Sequence, residues 1–230
     1  MGTAVFIQVR LGSTRLRSKA VLPLPGGMVI QHVMRALQGV TAQARALLTD
    51  SQSQDVLLPL ARAEGFDVFI GPEEDVLARY CMACRSFGVD RVIRATGDNP
   101  LTSGRLARDI LTIHGQKQAD LSHYLGIPWG TGIEVIQAAA LFTAERDATR
   151  GDEREHITTY LYRHKDRFRI EEPAAPPDAF FAEGKATVDT QDDYDRMKRI
   201  FSDLYRGSPI EIEQVVRWLK TEQGKGAENG

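Results

Sequence analysis

A short basic segment near the start of the chain has the residue types that bind phosphate. Within ten positions it carries four cations and a Gly-Ser pair, namely Arg10, Gly12, Ser13, Arg15, Arg17 and Lys19. An arginine can hold two phosphate oxygens at once, and a lysine places a point charge beside a leaving group. Gly12 and Ser13 allow close backbone approach and offer N–H groups to an anion. The segment therefore predicts a loop that cradles a polyphosphate.

Two known phosphate-binding patterns do not match this segment. A Walker A loop needs a second glycine five residues after the first, and Arg17 stands at that position after Gly12. The segment also lacks the Gly-x-Gly-x-x-Gly pattern of dinucleotide-binding proteins. A solvated basic loop without a ligand stays open as the alternative interpretation of the same residues.

Two aspartates follow predicted strands and are candidates for a metal site. Asp98 lies in the stretch Thr96-Gly97-Asp98-Asn99-Pro100, and Asp189 follows the short run 186–188. Mg²⁺ takes one or two carboxylates together with water and phosphate oxygens, so two strand-end aspartates facing a triphosphate suit it. Each aspartate alone could equally stabilise a turn or the start of a helix. In combination with the basic loop, the pattern favours metal binding by Asp98.

Strands and helices alternate in the first half of the chain. Apolar runs predict strands at 5–9, 44–49, 67–70 and 89–95, and helical spacing predicts helices at 28–38, 54–64, 73–87 and 103–114. This alternation is typical of an α/β fold with a mostly parallel central sheet and helices on both faces. The basic loop then has about 18 residues after the first strand, where about 2–6 are usual. Ligands bind at this end of the strands in open α/β sheets.

The second half of the chain is less regular. Its pattern predicts strands at 120–125, 132–136, 168–172 and 186–189, and helices at 137–147, 152–163, 191–205 and 209–220. We expect a single domain over 1–220, with an excursion at about 125–175, and a flexible tail at 221–230. A pocket for a second substrate, the acceptor of a group from the polyphosphate ligand, should come from this half, with Glu134, Arg154, Glu155 and His156 as candidates. His156 could instead be a partly buried helix histidine, and Arg154 could belong to a solvated helical face.

The composition excludes several classes of protein. The chain has 230 residues with 29 Lys+Arg against 31 Asp+Glu, so its formal net charge is −2. This excludes a generally basic protein, and no basic stripe with interleaved aromatics indicates nucleic-acid binding. Since no run approaches the ~18 apolar residues of a membrane span, we expect a cytoplasmic protein that binds neither nucleic acid nor membrane. Cys81 and Cys84 have no second ligand pair for zinc and are expected to be buried thiols.

Several motifs, taken together, resemble one enzyme family. They are 8–16 (QVRLGSTRL), 74–80 (EDVLARY), 96–100 (TGDNP), 132–136 (GIEVI), 152–158 (DEREHIT) and 188–190 (VDT). Over about residues 6–194 the chain is similar to the acid-sugar cytidylyltransferases, which make CMP-activated 3-deoxy-manno-octulosonate or acylneuraminate. The subgroup that it resembles most is the one named for spore-coat polysaccharide biosynthesis protein F.

This resemblance implies a Rossmann-like nucleotidyltransferase fold. It also implies Mg²⁺-dependent transfer of CMP from CTP to an acidic sugar, phosphate or phosphonate acceptor, with release of pyrophosphate. Arg15, Lys19 and Asp98 would be catalytic, Asp98 and Asp189 would bind the metal, and a homodimer would form through about 125–163. The implied nucleotide-binding residues are Arg10, Leu11, Gly12, Ser13, Arg15, Lys19, Arg79, Thr96, Gly97 and Asp98.

The chain departs from the family pattern at one point of the basic loop. The family often has Leu-Pro-Gly-Lys where this chain has Leu16-Arg17-Ser18-Lys19. Proline and glycine determine the backbone conformation there, so their replacement leaves the orientation of Lys19 open. Three other functions also stay open: a sugar-1-phosphate nucleotidylyltransferase, a nucleotide-sugar-dependent glycosyltransferase and a catalytically inactive binding module. Pyrophosphate release separates the nucleotidyltransferases from the other two.

Overall fold

The computed structural model describes residues 2–13 and 15–227 of the chain. Its large sheet contains β1 (Thr3–Gln8), β4 (Ala44–Thr49), β5 (Asp67–Ile70), β6 (Arg91–Thr96), β7 (Leu121–Ser122), β8 (Glu134–Gln137) and β9 (Ile170–Glu171). Within the described residues these seven strands are ordered β5-β4-β1-β6-β8-β7-β9. A separate hairpin pairs β2 (Pro23–Leu24) with β3 (Gly27–Met28).

Helices connect the strands in alternation through the first half of the chain. The helices are α1 (Val29–Leu37), α2 (Gln54–Ala63), α3 (Val76–Phe87), α4 (Gly104–Lys117), α5 (Ala138–Asp147), α6 (Gly151–Glu155), α7 (Thr159–Arg163), α8 (Gln191–Leu204) and α9 (Ile212–Ala227). The strands and helices predicted for the first half are confirmed, with small shifts at their ends. For example, α3 begins at Val76 because the Asp75 carboxylate accepts a hydrogen bond from the Ala78 N–H at 2.8 Å and so caps the helix.

The sheet is mostly parallel and is covered on both faces. β1 pairs in parallel with β4 and β6, while β8 pairs antiparallel with β6 and β7. Side chains alternate along β1, so that Val5 and Ile7 enter one hydrophobic core with α1, α2, α4, α8 and α9. Ala4 and Phe6 enter a second core on the opposite face with α3, α5 and α7. The predicted α/β fold class is thereby confirmed.

The structure divides one predicted helix into two. The segment 152–163 was expected to be a single helix, but α6 ends at Glu155 and α7 begins at Thr159. The segment between them, 156–158, overlaps a β-branched run, Ile157-Thr158-Thr159, which has low helix propensity. Ile157 is fully buried in the second core, and the Thr158 hydroxyl donates to Glu134 Oε1 at 3.2 Å. The break therefore serves packing and a contact that a continuous helix would not make.

Three further segments differ from the sequence prediction. The long loop after β1 contains a 3₁₀ turn at Lys19–Val21 and the β2–β3 hairpin. The segment 186–189, predicted as a strand, lies outside the strands of the sheet, and its contacts include a hydrogen bond from the Val188 N–H to the Asp98 carbonyl at 3.2 Å. Helix α9 continues to Ala227, so the first part of the predicted flexible tail is helical; 228–230 lie outside the described residues.

The two cysteines are buried thiols, as predicted. Cys81 and Cys84 lie on α3 within the second core. Burial raises the pKa of both thiols, that of Cys84 to about 12, so that neither is a thiolate at neutral pH. In the part of the chain that the structure describes, no helix is both long and apolar enough to cross a membrane.

Candidate active site

Two adjoining cavities open at the carboxyl ends of β1 and β6. The first cavity has a volume of about 340 Å³, and the second has a volume of about 720 Å³. They share a wall formed by Arg15, Thr96, Asp98, His156 and Asp189. This is the position where open α/β sheets bind ligands. Because the wall is shared, two ligands bound in these cavities would lie side by side.

The first cavity collects most of the residues predicted to bind nucleotide. Its lining includes Arg10, Gly12, Ser13, Arg15, Lys19, Arg79, Thr96, Gly97 and Asp98. Leu11 is not among the lining residues, because its side chain packs against the first core. Arg17 is exposed and lines neither of the two cavities. The loop therefore directs its cations inward at three positions, Arg10, Arg15 and Lys19.

The backbone of this loop is anchored by two buried residues that the sequence analysis did not single out. The Leu11 N–H donates to Ser53 Oγ at 3.0 Å. Ser53 in turn donates its own N–H to Asp50 Oδ1 at 2.8 Å and its hydroxyl to Asp50 Oδ2 at 3.1 Å. The available signal was the Asp-x-x-Ser spacing directly after β4. These residues position the loop without lining either cavity.

Ser18 has a backbone conformation that favours glycine. Its φ of 52° and ψ of 31° lie in the left-handed region, immediately before the 3₁₀ turn that begins at Lys19. The Ser18 N–H also donates to the Leu11 carbonyl at 3.3 Å, which closes the loop. The missing proline and glycine therefore do not displace Lys19, whose side chain lines the first cavity.

We expect Ser18→Gly to stabilise the fold. A non-glycine residue in the left-handed region is destabilised by roughly 1–2 kcal/mol, so glycine relieves this strain. Glycine also loses more backbone entropy on folding, which offsets part of the stabilisation. Chemical denaturation should show a rise of about 0.5–1 kcal/mol in the free energy of unfolding. Gln118→Gly is the matched comparison, because Gln118 also has positive φ, 50°, at the end of α4. The same change should raise the free energy of unfolding there too. A loss of stability in Ser18→Gly would contradict this account.

Lys19 lies between the two aspartates that were predicted to bind metal. Its Nζ is 2.5 Å from Asp98 Oδ2 and 2.8 Å from Asp189 Oδ1. The Arg15 guanidinium is 3.2 Å from the same Asp189 oxygen. Burial alone would lower the pKa of Lys19, but the two carboxylates outweigh burial and raise it above its ordinary value. Conversely, Lys19 and Thr187 outweigh the effect of burial on Asp189 and lower the pKa of its carboxyl group.

Asp189 is held by the start of α8. The Thr187 hydroxyl donates to Asp189 Oδ2 at 3.1 Å, which orients the carboxylate. Asp193 Oδ2 accepts the backbone N–H groups of Asp189 at 3.2 Å and Thr190 at 3.1 Å. Asp193 is itself bound to Lys185 at 2.9 Å. Asp189 thus keeps its position without a sheet ladder.

Arg79 is the most unusual residue of the first cavity. Its side chain is only 3% exposed, and two of its nitrogen atoms, Nε and Nη1, are buried without a hydrogen-bond partner. Gly71 makes room for its stem, because a Cβ there would lie 2.7 Å from Arg79 Cγ. Burial lowers the pKa of the guanidinium. Buried donors without partners are costly, and Arg79 lines the first cavity, so its guanidinium is a candidate to donate hydrogen bonds to a ligand there.

The second cavity combines a buried ion pair with an apolar wall. Antiparallel pairing places Glu134 on β8 opposite Arg94 on β6, and their side chains form an ion pair. Arg94 Nε also donates to Gln8 Oε1 at 3.0 Å. The apolar side chains of the wall come from the segment 124–133, namely Tyr124, Leu125, Ile127, Pro128, Trp129 and Ile133. Trp129 is 69% exposed and therefore available to a ligand.

The predicted acceptor-binding residues separate into two groups. Glu134 lines the second cavity, and His156 lines both cavities. His156 lies just beyond the end of α6 and not within a helix as the sequence predicted. Arg154 is not among the residues of either cavity; its guanidinium binds Asp75 at 2.6 Å and the Glu145 carbonyl at 2.8 Å. Arg154 therefore links α6 to α3 and α5.

The donor set at the shared wall suits a divalent metal that is also bound by a ligand. Asp98 and Asp189 bring two carboxylates to one cation, which here is the Lys19 ammonium. Among the described residues, no group of three or more His, Cys, Asp or Glu forms a complete protein cage for a metal. Mg²⁺ usually takes only one or two carboxylates and completes its shell with water and phosphate oxygens. The residues present therefore fit such a metal.

Comparisons with known proteins find a matching family profile, similar sequences and similar folds. The profile of a family described as Cytidylyltransferase matches residues 4–228. The spore coat polysaccharide biosynthesis protein SpsF of Bacillus subtilis (strain 168) is 28% identical over 93% of this chain and 92% of its own length. A cytidylyltransferase structure from Leptospira borgpetersenii has a TM-score of 0.88 at 24% identity, covering 97% of this chain and 96% of that one.

A structure of CMP:2-keto-3-deoxy-manno-octonic acid synthetase complexed with CTP has the same fold. Its TM-score is 0.67 at 17% identity, and the match covers 88% of this chain and 99% of that one. These matches assign the protein to the nucleotidyltransferases, which is the class of enzyme that the sequence predicted. Within that class, the chain belongs to the cytidylyltransferase family.

Proposed function

We propose that this protein transfers CMP from CTP to a sugar-type acceptor and releases pyrophosphate, with a divalent cation, Mg²⁺ by preference, held by Asp98 and Asp189. The observation that carries the proposal is the meeting of Lys19 with these two carboxylates on the wall between the cavities. A cationic loop on one side suits the triphosphate. The adjoining cavity leaves room for an acceptor beside it. The name of the SpsF relative supports an acceptor used in polysaccharide synthesis.

The proposed reaction is an in-line displacement at phosphorus. An acceptor oxygen attacks the α-phosphorus of CTP, the bond to the β-phosphate oxygen breaks, and pyrophosphate leaves. Positioning and charge stabilisation dominate such reactions. A divalent cation supplies neutralisation of charge on the phosphate oxygens when it is bound. Arg10, Arg15 and Lys19 line the first cavity and would stabilise the negative charge that develops on pyrophosphate.

Arg79 is our candidate for contact with the base. Its unpartnered Nε and Nη1 can only donate hydrogen bonds. Cytosine has two adjacent acceptors, O2 and N3, whereas N3 of uracil carries a proton. A contact from one edge of the Arg79 guanidinium would therefore meet two acceptors in cytosine and only one in uracil. This arrangement explains how a cytidine nucleotide would be selected.

The second cavity is our candidate for the acceptor. Glu134 and His156 line it. We propose that the acceptor is an acidic sugar, a phosphate or a phosphonate. Arg15 lies on the wall between the cavities and could contact a negatively charged acceptor as well as CTP. If the acceptor oxygen is a hydroxyl, its proton needs a base. His156 lines both cavities and is the candidate for that role.

Nucleotide binding followed by pyrophosphate release tests the proposal. Thermal unfolding is measured with CTP, UTP, GTP and ATP, each with and without Mg²⁺. A ligand at about 100 times its dissociation constant adds roughly 2.7 kcal/mol of stability. We expect a Mg²⁺-dependent rise in Tm with CTP, and then release of pyrophosphate with acidic sugars as acceptors. A response to UDP-sugars instead of CTP would favour a glycosyltransferase and contradict the proposal.

Arg15→Ala is expected to weaken binding of CTP much more than binding of CMP. Arg15 is an exposed cation of the phosphate loop, and a hydrogen bond to a charged group contributes about 1.5–3 kcal/mol. We expect the dissociation constant of CTP to rise about 10- to 100-fold, as measured by calorimetry with Mg²⁺. Arg17→Ala is the matched control, since Arg17 lies outside both cavities. Equal losses for CTP and CMP would place Arg15 away from the β- and γ-phosphates.

The proposal also includes a homodimer that acts in the cytoplasm, where CTP is made. The predicted interface segment, about 125–163, carries two exposed apolar side chains, Leu125 and Trp129. Exposed apolar groups of this kind suit an interface or a ligand. Light scattering of the purified protein would show the mass of a dimer, and a monomer would remove this part of the proposal.

A further inference from the structure

The Lys19 ammonium occupies the place where the proposed function requires a metal. Its Nζ contacts Asp98 Oδ2 at 2.5 Å and Asp189 Oδ1 at 2.8 Å, and its side chain is 13% exposed. These two carboxylates come from segments far apart in sequence, and Lys19 is the group that joins them. An ammonium at these distances neutralises the same oxygens that a metal would bind.

A metal and Lys19 compete for this pair of carboxylates, because Lys19 contacts one oxygen of each. Mg²⁺ lies about 2.0–2.1 Å from its oxygen ligands, so an ammonium on the same oxygens would lie close to it. Repulsion between the two positive charges is strong in a partly buried site. Binding of a metal to Asp98 and Asp189 therefore favours movement of Lys19 away from them.

The first cavity offers a second position for the Lys19 ammonium. Lys19 lines that cavity together with Arg10, Gly12 and Ser13. The backbone on either side is held by the left-handed conformation of Ser18 and by the 3₁₀ turn Lys19–Val21. A change of partner therefore needs only rotation of the long side chain. Phosphate oxygens in the cavity would replace the carboxylates as partners of the ammonium.

We propose that Lys19 is a built-in counter-ion of the metal site, which moves from the two aspartates to the phosphates when metal and nucleotide bind together. This inference rests on the proposed function. In the free protein, Lys19 holds Asp98 and Asp189 in place and competes with free metal. A triphosphate removes the competition because it binds Lys19 and supplies further oxygen ligands to the metal. Metal binding is thus coupled to nucleotide binding.

The coupling predicts that removing the charge of Lys19 raises the affinity for metal. Lys19→Met keeps the length of the side chain but removes the charge that competes with the metal. Without nucleotide, we expect this variant to bind Mn²⁺ at least about tenfold more tightly than the unaltered protein, which corresponds to about 1.4 kcal/mol. Electron paramagnetic resonance of free Mn²⁺ measures this affinity directly. Equal or weaker binding by Lys19→Met overturns the proposal.

Two controls assign the effect to this site. Arg17→Met removes a cation from the same loop, outside both cavities, and should leave the Mn²⁺ affinity unchanged. Adding Asp98→Asn to Lys19→Met should abolish the gain. If the unaltered protein and Lys19→Met bind Mn²⁺ equally, and Asp98→Asn does not weaken binding in either, the metal assignment in the proposed function fails. If binding depends on Asp98 but not on Lys19, only the counter-ion role fails.

The stability of the variants provides a second measurement. Without Lys19, Asp98 and Asp189 lose their shared partner, so Lys19→Met should unfold at a lower temperature than the unaltered protein. Mn²⁺ alone should restore its Tm by more than it raises that of the unaltered protein. Lys19→Arg keeps the positive charge and should show neither the loss nor the restoration. If Lys19→Met does not fold at all, Lys19→Gln is used in its place, and an absence of metal rescue in that variant overturns the inference.

Discussion

Asp98→Asn is expected to lower the rate of pyrophosphate release by about three orders of magnitude, because a metal ion contributes several kcal/mol of charge stabilisation in the transition state. Asparagine has the shape of aspartate but not its charge. The backbone of Asp98 keeps its hydrogen bond from the Val188 N–H, so the fold should be retained.

The matched control for this variant is Asp166→Asn. Asp166 is exposed in the turn after α7 and lines neither cavity. Circular dichroism should be unchanged in both variants, while only Asp98→Asn loses activity. Near-normal turnover of Asp98→Asn with CTP and Mg²⁺ would remove Asp98 from the metal site. That result would also leave Lys19 paired with a residue that has no part in the chemistry.

Arg79→Met is expected to weaken CTP binding strongly while leaving the free protein as stable as before or more stable. Truncating a buried charged hydrogen-bond partner costs about 2–5 kcal/mol in a complex. We therefore expect KM for CTP to rise by roughly 30- to 4000-fold. In the free protein the same change removes two buried donors that have no partner, and replacing such a group by an apolar one is often neutral or stabilising.

The opposite signs of these two effects distinguish a ligand contact from a structural role. A structural arginine would lower both Tm and affinity when replaced. The ratio of the kcat/KM values for CTP and UTP gives a further readout, and it should fall towards unity in Arg79→Met if Arg79 contacts the base. Arg62→Met replaces an exposed arginine on α2 and should change neither quantity. A Tm lowered by many degrees together with unchanged KM would contradict the assignment of Arg79.

The candidate site shows which kinds of residue can be found from sequence. The basic loop, Asp98 and Asp189 were recognisable because their types are unusual at the ends of predicted strands. Arg79 was recognisable only through the family resemblance, since nothing in its neighbourhood on α3 shows that it is buried. Asp50 and Ser53 were missed because their function is to hold the Leu11 N–H. Their own spacing after β4 was visible, but a contact across 42 residues leaves no local pattern.

Arg154 shows the reverse error. Its proximity to His156 in sequence made it a candidate for the acceptor pocket. In the structure, its guanidinium lies against Asp75 and Glu145 instead. The helix break at 156–158 separates the two residues: Arg154 on α6 contacts Asp75 and Glu145, whereas His156 after α6 lines both cavities. Glu134 and Thr158 meet for the same reason.

The sequence by itself determined the alternating strands and helices, the α/β class, and the chemistry of the loop, because these follow from local periodicity and residue type. The tertiary structure alone decided the strand order, with antiparallel β8 placing Glu134 opposite Arg94. It also decided that one lysine joins two aspartates from opposite halves of the chain. Such contacts depend on how elements pack around a shared sheet, and a Coulomb interaction between distant segments has no periodic trace in the sequence.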